Sequence, residues 1–339
     1  MYLENSFTLF LPKILDLDLL QYQTDFLSYL KAQQIVKEPQ NLYKPIDYIL
    51  QLGGKRIRPI LTLIAADIFS GNYKQALPTA LAVEVFHNFT LVHDDIMDDA
   101  PLRRGKETVH EKWNLNTGIL SGDAMLILAY QYFENYPPHI FQKLAKLFSK
   151  TALEVCDGQQ LDIDFETRND VTIEEYIQMI TLKTSVLVAA ALKMGAIVAD
   201  TDEEQATHLY NYGLNLGIAF QLQDDYLDTF GDPETFGKQV GGDIIENKKT
   251  YLYLKTLEVA TEQDREILLN FYNSDTKNIN KKITEVTSIF ERNNIKQHTH
   301  QLIEYYTNKS LESLHLLTIS NKAKEGLKLF AENLMSRKV

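Results

Sequence analysis

Leu91-Val92-His93-Asp94-Asp95-Ile96-Met97-Asp98-Asp99 closes a long, mostly apolar run that begins at Leu77. At about 100° per residue, Asp94 and Asp98 fall about 40° apart on one helix face and about 6 Å along it, with Asp95 on the shoulder. Acids packed this closely repel one another unless something positive sits among them. They would also oppose the helix dipole at a C-terminal end, which weighs against a merely solvated helix end. Hard oxygen ligands at this spacing suit Mg²⁺, which keeps several waters and bridges to phosphate oxygens. The spelling recurs in Gln221-Leu222-Gln223-Asp224-Asp225-Tyr226-Leu227-Asp228, again behind an apolar run, Ile218-Ala219-Phe220. There Asp224, Asp228 and Gln221 fall within about 60° of each other on the wheel. Neither copy has the alternating ligands and central glycine of a calcium loop. Two such clusters on two apolar helices predict paired metal sites in a helical scaffold.

The rest of the chain agrees with helices. Pro59 to Ala66 starts with proline at a first-turn position and runs into apolar residues. Leu77 to Val92 and Gly122 to Tyr132 read as mostly apolar helices, His208 to Leu227 as a helix deep in a bundle, and Ser185 to Ala199 as a core helix too short to span a bilayer. Thr172-Ile173-Glu174-Glu175 and Thr201-Asp202-Glu203-Glu204 are spelled as capping boxes. With 15 Gly and 9 Pro in 339 residues, the chain lacks the turn formers that an all-β fold needs. No repeat or interdomain linker stands out. The expectation is a single all-α domain, one large helical bundle with a central cavity, of roughly ten or more helices.

Composition narrows the partners. Lys and Arg total 34 against 46 acids, a net charge of −12, which repels nucleic acid and anionic membrane. The start has no basic region of the export kind, and the single cysteine, Cys156, suits a reducing compartment. A soluble, cytoplasmic protein without stable membrane insertion is expected. Cys156 itself reads as a small packing residue, Trp113 as a helix anchor, and Asp162 and Asp164 as surface acids on different helix faces.

An acidic protein that handles an anion must gather its few cations. Gly53-Gly54-Lys55-Arg56-Ile57-Arg58-Pro59 places three of them with two glycines before a helix, where Lys55 and Arg58 could cradle a phosphate-type group. Arg103-Arg104-Gly105 follows the first acid cluster and suits bidentate capture of diphosphate oxygens. Lys183-Thr184, Lys238, Lys248 and Lys249 add further cations. His87 lies about 20° off the face of Asp94; a core histidine and a site residue are equally good readings of it. There is no Gly-x-Gly-x-x-Gly and no phosphate loop, so the implied substrate is a diphosphate other than a nucleotide, with a greasy remainder.

From Gly53 to about Tyr251 these motifs, in this order, resemble the trans-isoprenyl diphosphate synthases, or polyprenyl synthetases. The resemblance implies the type I isoprenoid synthase fold, with N-terminal helices in 1–50, the catalytic core motifs in 53–251 and outer C-terminal helices in 262–339. It implies head-to-tail condensation of isopentenyl diphosphate with an allylic diphosphate, and a homodimer. By motif matching, Asp94, Asp98 and Asp224 would hold three Mg²⁺, with Asp95 and Asp228 supporting. Arg103, Lys183, Gln221 and Lys238 would grip the allylic diphosphate, and Lys248 belongs to the same set of basic motifs. Lys55, Arg58, His87 and Arg104 would grip isopentenyl diphosphate. Thr184 and Gln221 would line the cation, and the basic end, Arg337 and Lys338, is similar to tails that fold over the site. Gln159 and Asp162 resemble family positions at the cavity entrance.

Product length is implied by bulk ahead of the first acid cluster. Phe89 stands where long-chain members usually carry a small residue, and Thr90 follows it. With no two-residue insertion between Asp95 and Asp98, the pattern resembles the C20, geranylgeranyl-forming type over the C15, farnesyl-forming one. An ideal wheel turns Phe89 about 140° from Asp94 and brings Thr90 and Phe86 nearer the motif face, so Phe86 is an alternative floor. A class I terpene cyclase shares the bundle and the first motif. It would normally show an Asn/Ser/Glu-type second motif and needs no second diphosphate grip. A non-catalytic partner subunit would have lost acids or cations that are all present here.

Overall fold

The computed structural model describes residues 19–232, 240–273 and 278–335. Its helices are α1 (Leu19–Ala32), α2 (Gln40–Gln51), α3 (Ile57–Ser70), α4 (Leu77–Met97), α5 (Val109–Lys112), α6 (Leu115–Phe133), α7 (Pro138–Thr167) and α8 (Ile173–Ile180). After a π-helical segment, Thr181–Ser185, come α9 (Val186–Val198), α10 (Glu203–Phe230), α11 (Gly242–Ile245), α12 (Tyr251–Val259), α13 (Glu262–Asn273), α14 (Ile279–Arg292), α15 (Ile295–His315) and α16 (Asn321–Met335). The all-α expectation holds among the described residues, with one exception, a hairpin of Leu102–Arg103 and Lys106–Glu107. Its two-residue turn has φ of 53° at Arg104 and 73° at Gly105, as the tight turns that suit a twisted ribbon require.

The apolar runs form the expected helices. α3 opens with Pro59 in its first turn and ends on Gly71, whose φ of 67° makes the left-handed cap. α4 is apolar on most sides because from Ala80 to Phe89 every residue but the half-buried His87 is buried. It extends past the apolar run and takes Asp94 and Asp95 into the helix, with Asp98 as its C-cap. At α8 both halves of the Thr172 capping box are made. At α10 the cap is one residue later than its spelling suggests: Asp202, not Thr201, accepts the N–H of Gln205. Ile173–Val198 is long and apolar enough to cross a membrane, but 72% of that window is buried inside the protein, as a core helix would be.

Close packing divides the chain into two compact units. The first takes residues 19–149, 190–209 and 318–326. Its core includes Phe26, Leu61, Leu81 and Val85, and Phe86 and Phe133 both meet Phe148 edge-on, at ring centroid distances of 5.0 and 5.3 Å. Gly195 lets helix backbones close up here, since a Cβ would stand 2.2 Å from the Thr62 carbonyl oxygen. The second unit takes 150–189, 210–317 and 327–335. Tyr176, Ile180, Leu222, Leu252, Val286, Ile289 and Phe290 are among its core residues. Tyr212, fully buried, finds its hydroxyl partner in the Leu327 carbonyl.

Candidate active site

In the first unit the basic loop, the end of α4 and the hairpin hold one another through charged hydrogen bonds. Arg56 takes the left-handed conformation at φ 51° and is buried, with one guanidinium nitrogen on the Glu84 carboxylate and another on the Leu50 carbonyl. Asn88 donates to the same Glu84 at 2.9 Å. A buried carboxylate needs such donors, and Glu84 is 2% exposed. Of the three loop cations Arg56 is therefore the structural one. Lys55 is exposed and Arg58 half-buried.

Arg58 donates to His87 Nε2 at 3.1 Å. Arginine only donates, so Nε2 is the acceptor and the imidazole is neutral with its proton on Nδ1. Burial, then the Arg58 cation, hold the His87 pKa well below its ordinary value. The buried Arg58 Nε has no hydrogen-bond partner among the described residues. Arg104 closes the loop from the hairpin by donating to the Gly53 carbonyl. Its guanidinium lies flat against Gly54, where φ is 119° and a Cβ would come within 2.7 Å of Arg104 Cζ. Only glycine fits there.

Asp94 is half-buried and Asp98 exposed, one turn apart, while Asp95 turns inward and is 1% exposed. Arg103 grips both Asp95 oxygens from its Nε at 2.8 Å and adds a second nitrogen at 2.7 Å. The same guanidinium stands 3.8 Å from Asp94. Burial raises the Asp95 pKa and the Arg103 hydrogen bonds and charge pull it back. The hairpin, which the sequence reading did not include, is what returns Arg103 to α4. Asp99, His110 and Glu111 also bring one ligand atom each to within 4.8 Å, a trio not singled out from the sequence because the hairpin and α5 set their separation.

Phe86, Phe89 and Thr90 lie on α4 ahead of these acids. Phe86 is 1% exposed and Phe89 9%. Phe89 touches both Phe86, at 5.5 Å, and the His93 ring, at 4.8 Å. The Thr90 hydroxyl donates to its own helix at the His87 carbonyl.

In the second unit the π-helical segment carries Lys183 and Thr184. Extra-wide turns of this kind are rare and recur at functional sites. Two glycines accommodate it: a Cβ on Gly158 would stand 2.2 Å from Lys183 N, and one on Gly217 2.8 Å from Ser185 Cα. Lys183 pairs with Asp162, which corrects the reading of Asp162 as a surface acid: it is half-buried and serves the lysine, whereas Asp164 is exposed and takes Gln160. Cys156 is also corrected, being exposed and not a packing residue.

On α10, Asp224 and Asp228 are half-buried and Asp225 is buried. Tyr176 donates to Asp225 Oδ2, and Gln221 donates its Nε2 to Oδ1 at 2.9 Å. The Gln221 carbonyl oxygen in turn accepts the Thr184 hydroxyl at 3.2 Å. Burial drives the Asp225 pKa far above the carboxylate range, and the two hydrogen bonds only partly restore it. Asp228 accepts the backbone N–H of Asp243 at 2.9 Å, and Lys248, exposed, pairs with Asp243 and Glu246. Asp243 is itself pushed up, by burial and then by the Asp225 and Asp228 charges. Lys238, and the tail residues Arg337 and Lys338, lie outside the described residues.

Each unit thus presents carboxylates one helical turn apart, with fixed cations alongside. Hard oxygen donors in that arrangement fit Mg²⁺ with phosphate as its other ligand. The polyprenyl synthetase family profile matches residues 39–290. The chain belongs to that family. It is 37% identical to a short chain isoprenyl diphosphate synthase of Methanothermobacter thermautotrophicus, covering 88% of this chain and 91% of that one. It is 38% identical to a geranylgeranyl diphosphate synthase of Saccharolobus solfataricus, over 86% and 89% of the two chains. A crystal structure of a geranylgeranyl pyrophosphate synthase superposes with a TM-score of 0.91 at 54% identity, covering 95% of this polyprenyl synthetase and 99% of that chain. The fold is accordingly that of the all-helical isoprenoid synthases.

Proposed function

We propose that this polyprenyl synthetase, a prenyltransferase, condenses isopentenyl diphosphate with an allylic diphosphate head-to-tail and releases a short-chain trans-prenyl diphosphate, C20 in preference to C15. What supports the reading above all is the doubled acid cluster, each copy with its own fixed cations, in a chain of this family. Asp94, Asp98 and Asp224 would hold Mg²⁺, three ions in all, with Asp95 and Asp228 supporting. Bound Mg²⁺ supplies charge neutralisation for a departing diphosphate.

The protein's own groups do the rest. Arg103, Lys183, Lys238 and Lys248 serve the allylic diphosphate as fixed positive charge, strongest where negative charge develops as the C–O bond breaks. Lys55, Arg58 and Arg104 receive isopentenyl diphosphate, with neutral His87 keeping Arg58 in place. Thr184 and Gln221 offer oxygen lone pairs to the allylic cation, and apolar surroundings keep water from quenching it. The released diphosphate takes the proton lost on forming the new double bond. Phe89 and Phe86 bound the growing chain.

Working as a homodimer in the cytoplasm completes the reading. The dimer is supported by exposed apolar residues along α6, Ile119 at 40%, and Leu120 and Ile127 both at 58%.

The test is a product assay with purified protein, Mg²⁺, labelled isopentenyl diphosphate and, separately, C5, C10 and C15 primers. The reading expects C20 diphosphate as the main product, abolished by EDTA and lowered about 10³-fold or more in Asp94→Ala and in Asp224→Ala. Cyclised hydrocarbon would instead make the chain a cyclase. No turnover of any primer by folded, Mg²⁺-binding protein would make it a partner subunit.

A further inference from the structure

The second acid cluster contains a hydrogen-bond chain that reaches beyond the residues that meet substrate. Tyr176, on α8, is 1% exposed, among the largest fully buried side chains, and its hydroxyl goes to Asp225 Oδ2. Gln221 stands one turn before Asp225 on α10 and gives its amide N–H to Oδ1 at 2.9 Å. The other end of that amide, Oε1, faces Thr184 Oγ1 at 3.2 Å.

Which way a glutamine amide points is decided by its partners. Both Asp225 oxygens accept, one from the Tyr176 hydroxyl and the other from the NH₂ end of Gln221, which leaves the carbonyl oxygen turned toward Thr184. That orientation matters to a cation: a carbonyl oxygen stabilises it, and an amide N–H in the same place repels it. Asp225 can fix the amide only while its own carboxylate is fixed. It is buried, and Tyr176 holds its second oxygen. Without that hydroxyl the buried oxygen is left unsatisfied, and the carboxylate turns to seek another donor, releasing Gln221.

We infer that Tyr176 is a positioning residue for prenyl transfer: through Asp225 it sets the amide of Gln221 so that the carbonyl oxygen, not the N–H, faces the allylic carbon. The inference rests on the reading of Thr184 and Gln221 as the groups that meet the cation, and it adds a residue that touches neither substrate nor metal. Because Tyr176 acts on orientation, its loss changes the rate of ionisation and not the grip on either diphosphate.

The experiment is a double-mutant cycle on the full chain with Mg²⁺, isopentenyl diphosphate and the best allylic primer. Tyr176→Phe removes one oxygen and keeps the ring. It is expected to lower kcat roughly tenfold, the effect of one misplaced hydrogen bond, with KM for both diphosphates within about twofold of the parent. Gln221→Ala lowers kcat on its own, and in that background Tyr176→Phe is expected to cost less than about twofold more. Multiplying effects would overturn the inference, because Tyr176 would then act by a route other than Gln221. Unchanged kcat in Tyr176→Phe overturns it too, as does a loss spread equally over kcat and both KM values with a lowered melting temperature, the mark of a packing role. A parent protein that turns over no primer would overturn the proposed function as well; an active parent with an unaffected Tyr176→Phe overturns the positioning role alone.

Discussion

Asp95 and Asp225 are the middle acids of two helix turns that share the spacing Asp-Asp-x-x-Asp, both are buried, and they are satisfied by opposite means. Asp95 faces a guanidinium that grips both its oxygens. Asp225 faces a phenol and an amide, neutral donors that leave its charge uncompensated. Burial raises both carboxyls, and only at Asp95 does a cation pull the other way as a direct partner. The first cluster is built as an ion pair that ties Arg103 to the helix. The second keeps its cations on separate acids, Lys183 on Asp162 and Lys248 on Asp243 and Glu246. One motif therefore supports two electrostatic designs, and its spelling alone does not say which.

The largest expected contrast comes from removing the same charge in both places. Asp95→Asn leaves Arg103 facing an amide and is expected to cost about 2–4 kcal/mol of stability, read by urea unfolding without Mg²⁺. Asp225→Asn keeps the volume, still accepts from Tyr176 and discards a poorly compensated buried charge, so stability should stay within about 1 kcal/mol while turnover falls as the Gln221 amide reverses. Equal losses of stability at the two sites would break the comparison.

A smaller contrast separates how the two halves hold their cations in place. Gly158→Ala pushes a Cβ into the Lys183 backbone at 2.2 Å, where only a shift of α7 or of the π-helical segment gives room. A cost of about 1–3 kcal/mol is expected, with kcat falling alongside. Gly53→Ala meets nothing within 4 Å, yet φ is 83°. Its cost is conformational, about 1 kcal/mol, and should appear as a raised KM for isopentenyl diphosphate as Lys55 and Arg104 lose register. Reversal of that order would show that the basic loop, not the π-helical segment, is the tightly packed element.

What could be read from the chain was what repeats or alternates locally. The acid turns, the apolar helices around them and the Thr172 cap depend on neighbours within a turn or two, and spacing carries that information. What could not be read was choice of partner. Nothing near Arg56 distinguishes it from Lys55 and Arg58; it is structural because Glu84, on another helix, and the Leu50 carbonyl claim it. Asp162 reads as surface until Lys183 arrives from the π-helical segment. The hairpin was missed because Arg103 to Glu107 has no strand composition; its turn, with two residues at positive φ, makes it. Cys156 was assigned by residue type, and its place on the helix overrode the type.

The last contrast probes the first cluster through pH. His87 is neutral in the folded protein because it is buried among cations: Arg58 is its direct partner, and Arg104, Arg103 and Arg56 all add to the same field. In the unfolded chain its pKa returns to about 6.5. Below that value the unfolded state takes up a proton that the folded state refuses, so this group lowers stability as pH falls and contributes nothing above it. The slope from one such histidine approaches about 1.4 kcal/mol per pH unit once the unfolded chain is fully protonated. His87→Gln keeps an oxygen acceptor for Arg58 and cannot titrate. Unfolding free energies between pH 7 and pH 5 should therefore fall less steeply in His87→Gln than in the parent, with the two curves running parallel above pH 7. If the parent and the variant lose stability in parallel down to pH 5, His87 is protonated in the folded state, and Arg58 then has a cation for a neighbour where an acceptor is required.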